Sequence, residues 1–310
     1  METDKANAGN SVVYDLSRSP ITFDFVHFLA YARLSVASAT GDATFFLSII
    51  ADRWRNITPR EVQYSLNDRL WRLHNLIIPI CGVTPALLGF EVILSNHLRA
   101  TPNDSRVVVH CENANYMMRS LLDMFHRSGF DPHLFAAPEI AIQRAKSLFC
   151  GAAKPLILAL RNSTFEKERN TPTQLIRSIT RELTSAGFKV FLIPDQESYL
   201  SKEELDLDAT VLYEAAYNLP LRLALHEQAA VSICSGGGPT MFVSLAVTKP
   251  NIIVVNPMQP DIRISSPEFL MAQGYDVGHE QPLPWIPKNQ MWLWNPDSSA
   301  ETICQAALSL

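Results

Sequence analysis

The chain has 310 residues, of which 47% are hydrophobic and 18% charged, as in globular proteins with sizeable cores. The net charge of −5 and the lack of a basic run exclude a general nucleic-acid surface. No apolar run reaches the roughly 20 residues of a membrane span. The five scattered cysteines form no C-x-x-C pair and indicate reduced thiols, so we expect a cytoplasmic protein with at most peripheral membrane contact.

Predicted strands and helices alternate along the first half of the chain. Residues 1–10 are polar and small, which is typical of a disordered lead. Apolar runs predict four strands, at Ser11–Leu16, Ala43–Ile50, Phe90–Leu94 and Arg106–His110. Helical spacing predicts three helices, at Asp24–Arg33, from Thr58 to about Cys81, and at Ala114–Gly129. The stretch Phe23–Val36 is apolar enough for a membrane-surface helix, but a core helix is the favoured interpretation.

A second alternating series starts after Lys154-Pro155, preceded by a helix expected at Ala137–Phe149. Five strands are expected, at Leu156–Leu160, Lys189–Ile193, Ala209–Leu212, Asn251–Val255 and in the run from Ala229 up to Gly236. Helices are expected at Thr173–Ala186, Leu219–Gln228 and Ser298–Leu308. The alternation predicts an α/β protein of two Rossmann-like, doubly wound parallel-sheet domains, with boundaries at residues 11–150 and 151–310.

Three consecutive glycines follow the strand that begins at Ala229. Gly236, Gly237 and Gly238 lead into Pro239 and Thr240, and then into an apolar run that fits a helix. Glycines let a backbone approach a ligand closely, and the unpaired N–H groups at a helix start bind anions. The spacing is neither that of a P-loop nor that of a dinucleotide fingerprint. The stretch Ser235–Thr240 therefore predicts another kind of phosphate or diphosphate site, with a tight turn that binds nothing as the alternative.

Polar side chains also follow other strands of the second half, at the end of the sheet where parallel sheets bind ligands. Arg161 and Asn162 come directly after Leu156–Leu160, and a guanidinium suits phosphate oxygens. The charges of Glu166–Arg169 in the same loop are interpreted as solvated surface. Asp195 follows the next strand, where a carboxylate binds ribose hydroxyls or caps the following helix. Asn256, after a later strand, is a weaker candidate.

In the first half, Asp24 and His27 stand at the start of the first predicted helix. Either side chain suits a general base that faces an acceptor. Asp24 suits the first turn of a helix equally well, and His27 suits a place in the core. The sequence contains no cluster of His, Cys, Asp and Glu at metal-ligand spacing, so we expect no metal site.

The second half resembles the sugar-nucleotide-binding half of GT-B glycosyltransferases. The resemblance rests on Leu221–Pro257, where an apolar helix leads into S-I-C-S-G-G-G-P-T and then T-K-P-N-I-I-V-V-N. It is supported by A-L-R-N at Ala159–Asn162. The layout is similar to that of ADP-heptose lipopolysaccharide heptosyltransferases and related bacterial glycosyltransferases. The resemblance implies two domains that face a cleft, a donor diphosphate at Ser235–Thr240, and Arg161 as its charge clamp.

It also implies the activity: a metal-independent hexosyl- or heptosyl-transferase that uses a nucleotide-sugar donor and no other cofactor. The acceptor would be a glycan, a lipid-linked molecule or a protein, in bacterial surface polysaccharide or glycoconjugate synthesis. Arg161 and the turn amides would stabilise the leaving diphosphate, with Asp24 or His27 as the base. The alternatives are a non-catalytic sugar-nucleotide-binding protein of the same fold, or another sugar-nucleotide enzyme such as an epimerase or a pyruvyl transferase.

Overall fold

The computed structural model describes residues 9–52, 54–94, 108–110, 117–163, 166–195, 207–256, 258–294 and 299–310. The chain divides into two compact units, Met1–Leu134 and Phe135–Leu310. Residues 1–8 of the lead predicted at residues 1–10 lie outside the described residues, as do the predicted starts of a strand at Arg106 and of helices at Ala114 and Ser298. None of the described helices is long and apolar enough to span a bilayer.

The first unit holds a four-stranded parallel sheet. Its strands are β1 (Ser11–Asp15), β2 (Phe45–Ile50), β3 (Leu87–Ile93) and β4 (Val108–His110), in the spatial order β3-β2-β1-β4. Its helices are α1 (Asp24–Thr40), α2 (Leu66–Arg72), α3 (Ile78–Gly82) and α4 (Met118–Ser128). Phe25 and Phe28 of α1 are fully buried and pack on Tyr14 of β1, with ring centroids 4.7 and 4.8 Å away. The interpretation of this stretch as a core helix is confirmed.

The single helix predicted from Thr58 to Cys81 is wrong. The chain there forms a 3₁₀ helix (Pro59–Gln63), α2, a π-helical turn (Leu73–Ile77) and α3. In a continuous helix the Ser65 N–H would donate a hydrogen bond to the Glu61 carbonyl. Here the Arg69 guanidinium donates to that carbonyl over 2.9 Å. The Ser65 N–H donates instead to Asp68 Oδ2 over 2.8 Å, and this capping box starts α2 as a new helix.

The second unit holds a six-stranded parallel sheet. Its strands are β5 (Pro155–Ala159), β6 (Lys189–Leu192), β7 (Thr210–Val211), β8 (Val231–Ser235), β9 (Ile252–Val255) and β10 (Gln290–Leu293). Their spatial order is β10-β9-β8-β5-β6-β7. Its helices are α5 (Glu139–Leu148), α6 (Thr173–Ser185), α7 (Leu219–Gln228), α8 (Gly238–Ser244), α9 (Pro267–Ala272) and α10 (Ala300–Ser309). The sequence predicts neither β10 nor α9.

The division between the units comes earlier in the chain than the predicted one near residue 150. The physical reason is the packing of α5, the helix that was expected to end the first half. It packs against α7, and the Ala137 N–H that precedes it donates to Glu227 of α7 over 3.1 Å. Phe135 forms a parallel bridge with Ala246. These contacts all lie within the second unit, so α5 belongs to it.

Candidate functional site

The strand order of the second unit reverses between β5 and β8. The chain runs outward from β5 through β6 to β7 and then returns to place β8 on the other side of β5. In open parallel sheets, ligands bind outside the carboxyl ends of the strands at such a reversal. β5 and β8 pair from Leu156 opposite Val231 to Ala159 opposite Cys234, so their carboxyl ends are level. The structure therefore brings the loop that begins at Arg161 beside the glycine turn.

Hydrogen bonds tie these two loops together. The Arg161 backbone N–H donates to Ser235 Oγ over 2.8 Å, and the Thr171 N–H donates to the Arg161 carbonyl over 3.0 Å. Thr240 is buried, and its hydroxyl donates to the Ser235 carbonyl. The hydroxyls of Ser235 and Thr240, which the sequence offers as ligand contacts, thus bind backbone groups in this structure, that of Ser235 in the loop after β5 and that of Thr240 in the turn.

Two glycines of the turn disfavour a side chain for different reasons. A Cβ on Gly236 would lie 2.7 Å from Asn256 Cγ and closer still to Oδ1, so a side chain there would displace the Asn256 side chain. Gly237 has φ +151° and ψ −175°, a region that almost only glycine adopts. α8 then starts at Gly238, with Pro239 as its second residue. The predicted junction of strand, glycine turn and helix is confirmed.

A cavity of about 220 Å³ opens beside the glycine turn. Its wall comes from the carboxyl ends of β8 and β9 and from the loop after β5, and its polar lining includes Arg161, Glu168, Arg169, Ser235, Asn256 and Gln259. Two arginines and one glutamate therefore line the space, and the guanidinium of one of them, Arg169, pairs with Glu166. A planar guanidinium matches the oxygens of phosphate and carboxylate groups, so this lining suits an anionic group.

The interpretation of Arg169 as solvated surface charge is wrong. Its side chain is only 17% exposed, lines the cavity and pairs with Glu166 over 2.8 Å. Asn170 folds the same loop, because its side-chain amide accepts from the Ser163 N–H over 2.9 Å and donates to the Ser163 carbonyl over 2.8 Å. Gln259 donates to the Glu168 carbonyl over 2.8 Å. No motif marks Gln259 in the sequence, so only the fold shows its place.

Several predicted site residues do not line the cavity: Asn162, Asp195, Gly237, Gly238, Pro239 and Thr240. Asn162 is half-buried beside Arg161, Gly237 caps the start of α8, and the last three are its first residues. Asp195 lies at the carboxyl end of β6, where its charge acts on the Arg222 guanidinium. Its role as a ribose contact stays a prediction.

A buried polar cluster lies on the face of β8 toward α7. His226 Nδ1 and Ser232 Oγ are 2.9 Å apart. Burial, and secondly the charge of Arg222, lowers the pKa of His226 to about 3, so the imidazole is neutral. Burial also lowers the pKa of Arg222, while the negative charge of Asp195, and that of Cys234 if it were ionised, raises it. Burial raises the pKa of the Cys234 thiol to about 12, so this cysteine stays protonated beneath the turn.

Asp24 and His27 belong to the first unit, whereas every residue of the cavity wall belongs to the second. Asp24 is the first residue of α1, and its carboxylate accepts a hydrogen bond from the Thr22 hydroxyl over 2.5 Å. His27 follows in the first turn of α1 and is half-buried. Their role as a base stays a prediction. Within the part of the chain that the structure describes, no three His, Cys, Asp or Glu side chains stand close enough to hold a metal ion.

No family model matches the sequence, and no curated protein does. Solved structures match over almost the whole chain. The glycosyl transferase family 9 structure from Veillonella parvula DSM 2008 is 10% identical, with a TM-score of 0.60 over 98% of each chain. The E. coli ADP-heptose LPS heptosyltransferase II is 10% identical, with a TM-score of 0.58 over 97% of this chain and 98% of its own. The chain thus has the fold of these glycosyltransferases, which confirms the resemblance found in the sequence.

Proposed function

We propose that the chain is a glycosyltransferase that moves a sugar from a nucleotide-sugar donor to an acceptor hydroxyl. The observation that carries this proposal is the position of the cavity at the carboxyl ends of β5, β8 and β9, where the strand order reverses. The fold is that of solved glycosyltransferases, one of which is named for an ADP-heptose donor. A nucleotide-sugar is accordingly the donor class proposed for this chain.

The cavity is assigned to the donor diphosphate. Its volume of about 220 Å³ is below the roughly 300–1,000 Å³ of sites that enclose a drug-sized ligand, so it takes part of a nucleotide-sugar. Arg161 and Arg169 supply guanidinium groups, and Gly236, which has no side chain, lines the cavity with its backbone. As the bond to the sugar breaks, negative charge grows on the diphosphate, and fixed cations and amides stabilise that charge.

The proposed transfer displaces the diphosphate from the anomeric carbon of the sugar. The acceptor oxygen forms a bond to the anomeric carbon, and the bond from that carbon to the diphosphate oxygen breaks. The hydroxyl proton passes to a base, for which Asp24 and His27 of the first unit are the candidates. The proposed acceptor is a glycan, a lipid-linked molecule or a protein, in the synthesis of a surface polysaccharide or glycoconjugate.

Thermal unfolding with a panel of nucleoside diphosphates and nucleotide-sugars tests the donor site. A ligand at about 100 times its Kd stabilises the folded chain by roughly 2.7 kcal/mol, which raises the melting temperature measurably. We expect Arg161→Ala and Arg169→Ala to lose most of this shift. Arg177→Ala, at an exposed position of α6, is the matched control and should keep it.

Turnover is tested separately, by the release of nucleoside diphosphate from the bound nucleotide-sugar in the presence of candidate acceptors. Release together with a glycosylated product supports the transferase. Binding without release supports a non-catalytic sugar-nucleotide-binding protein of the same fold. The absence of a shift with every nucleotide would overturn the assignment of the cavity.

A further inference from the structure

Glu61 is a buried carboxylate that binds backbone groups from two separate parts of the first unit. It is 1% exposed. Its Oε1 accepts a hydrogen bond from the Ile21 N–H over 2.8 Å, and its Oε2 accepts from the N–H groups of Ile57 and Thr58 over 2.9 and 2.7 Å. A buried charge is costly unless it is hydrogen-bonded, and bonds to a charged acceptor are among the stronger ones in proteins. Glu61 therefore joins the connection between β1 and α1 to the start of the 3₁₀ helix.

The same connection, residues 16–23, is also held from β1. Tyr14 of β1 is fully buried, and its hydroxyl donates to the Pro20 carbonyl over 2.5 Å. The Pro20 carbonyl and the Ile21 N–H belong to one peptide group, and a peptide group is planar and rigid. Tyr14 and Glu61 thus bind both polar atoms of this group, which fixes its orientation. We refer to the peptide group between Pro20 and Ile21 as the held peptide.

Asp24, the first residue of α1, follows closely after the held peptide. Thr22 comes directly after Ile21, and its hydroxyl donates to Asp24 Oδ2 over 2.5 Å. The Thr22 carbonyl accepts from the Phe25 N–H over 3.2 Å, which ties Thr22 to the first turn of α1. The position of the Asp24 carboxylate therefore depends on Thr22, and the position of Thr22 depends on the held peptide.

Further hydrogen bonds hold Glu61 itself in place. Arg69 is buried, and its guanidinium donates to the Glu61 carbonyl over 2.9 Å and to the Arg55 carbonyl over 3.3 Å. The Thr58 hydroxyl donates to Glu61 Oε2 over 3.2 Å. A functional group is placed accurately when the residues behind it are locked by packing and hydrogen bonds. The contacts of Glu61 meet this requirement for the loop that leads to Asp24.

We propose that Glu61 and Tyr14 are positioning residues for the transfer, an inference that rests on the proposed function because it takes Asp24 as the base. By fixing the held peptide, they set the Asp24 carboxylate within reach of the acceptor hydroxyl. A base must lie within hydrogen-bond distance of the proton it takes, and a misplacement of about 1 Å costs up to about 100-fold in rate. Neither side chain touches the substrate, and each acts through the loop.

Glu61→Gln and Tyr14→Phe test the two contacts separately. Glutamine keeps one oxygen, and the paired N–H groups of Ile57 and Thr58 favour it, so the amide nitrogen is left facing the Ile21 N–H. Phenylalanine keeps the ring contacts of Tyr14 with α1 and removes only the hydroxyl. The matched control is Ile77→Val, which trims a fully buried side chain of the π-helical turn. It lowers stability but leaves both hydrogen bonds to the held peptide intact.

Hydrogen exchange read by mass spectrometry measures the loop without any need for activity. Peptides that cover residues 17–24 should exchange about fivefold faster or more in Glu61→Gln and in Tyr14→Phe, because a hydrogen bond to the held peptide is lost. The same peptides of Ile77→Val should exchange as in the parent chain. Unchanged exchange in the first two variants would overturn the inference, because neither residue would then hold the loop.

Initial rates with a nucleotide-sugar and its acceptor, measured below the melting temperature of every variant, test the effect on the reaction. Glu61→Gln should lower the acceptor-dependent kcat about tenfold or more, and Tyr14→Phe about fivefold or more. The KM of the nucleotide-sugar should stay within about twofold, because every residue of the proposed donor cavity belongs to the second unit. Ile77→Val should match the parent chain in both quantities. A purely structural role would not separate kcat from the donor KM in this way.

The failure of this inference differs from the failure of the proposed function. Turnover by the parent chain that both variants leave unchanged would overturn the positioning role and leave the glycosyltransferase proposal standing. An equal fall of kcat in Ile77→Val would likewise overturn it, because any loss of stability would then have the same effect. The absence of turnover by the parent chain with every donor and acceptor would overturn the proposed function and the positioning role together.

Discussion

The contact between the glycine turn and β9 gives a prediction that a double-mutant cycle can measure. Gly236→Ala would place a methyl group 2.7 Å from Asn256 Cγ, closer to Oδ1, and 3.1 Å from Cβ. Non-bonded heavy atoms stay at about 3.5 Å or more, so the Asn256 side chain would have to leave its position, or the turn and the end of β9 would have to move apart. Overpacking of this kind costs about 1–3 kcal/mol of unfolding free energy.

Asn256→Ala removes the two atoms that Gly236→Ala would strike and leaves only the Cβ. In that background, Gly236→Ala should cost less than about half as much, which gives a coupling free energy of about 1 kcal/mol or more. The assay is urea unfolding of the four variants, followed by tryptophan fluorescence. Gly82→Ala is the control, because nothing lies within 4 Å of its Cβ, and it should leave the chain as stable or up to about 1 kcal/mol more stable.

An equal cost of Gly236→Ala in both backgrounds would refute this reasoning. It would mean that the glycine is needed for its backbone conformation and not for the space beside Asn256. Gly237→Ala provides the comparison, because its Cβ would meet nothing nearer than Pro239 Cδ at 4.0 Å. Its cost comes from the φ of +151° alone, about 1–3 kcal/mol, and should not depend on Asn256.

Three further predictions concern buried groups. Glu61→Gln should destabilise the first unit by about 1–3 kcal/mol in urea unfolding, because an amide nitrogen would face backbone donors. The pKa of His226 is about 3 in the folded chain, so its imidazole takes up a proton on unfolding wherever the pH is below the ordinary pKa of histidine. The free energy of unfolding should therefore fall by about 2 kcal/mol from pH 7 to pH 5. His226→Asn should flatten that slope. Maleimide at neutral pH should label the exposed Cys150 in the folded chain and spare Cys234, as read by peptide mass.

The sequence predicts local elements well where capping or turn residues agree with the pattern of apolar residues. The helix Leu219–Gln228 has the same bounds in the prediction and in the structure, because Asn218 caps its start and the buried strand β8 follows it directly. The glycine turn is equally clear. β10 is missed because Gln290, a polar residue, is buried in it and donates to the carbonyls of Ser244 and Pro250. Such a strand lacks the apolar alternation on which the prediction depends.

Only part of the candidate site can be predicted from the sequence, because some of its residues depend on contacts between distant parts of the chain. Arg161 and the glycines stand next to strand ends, and their position can be inferred from the strands alone. Arg169 stands in a run of charges, and its burial depends on Glu166 and on the fold of the loop over the sheet. The Asp195 charge acts on Arg222, a residue of a later helix that no local pattern connects to it. Long-range pairs of this kind become visible only when the topology is known.

The reversal of strand order has a consequence for how the second unit forms during synthesis. β5, β6 and β7 leave the ribosome first and pair with neighbours in order of synthesis, whereas β8 follows β5 by about 70 residues and must close a long loop. The walls of the cavity are complete only after β8 has docked on β5 and β9 has docked on β8. A ligand there binds none of the earlier intermediates, so its binding free energy acts entirely on the completed sheet.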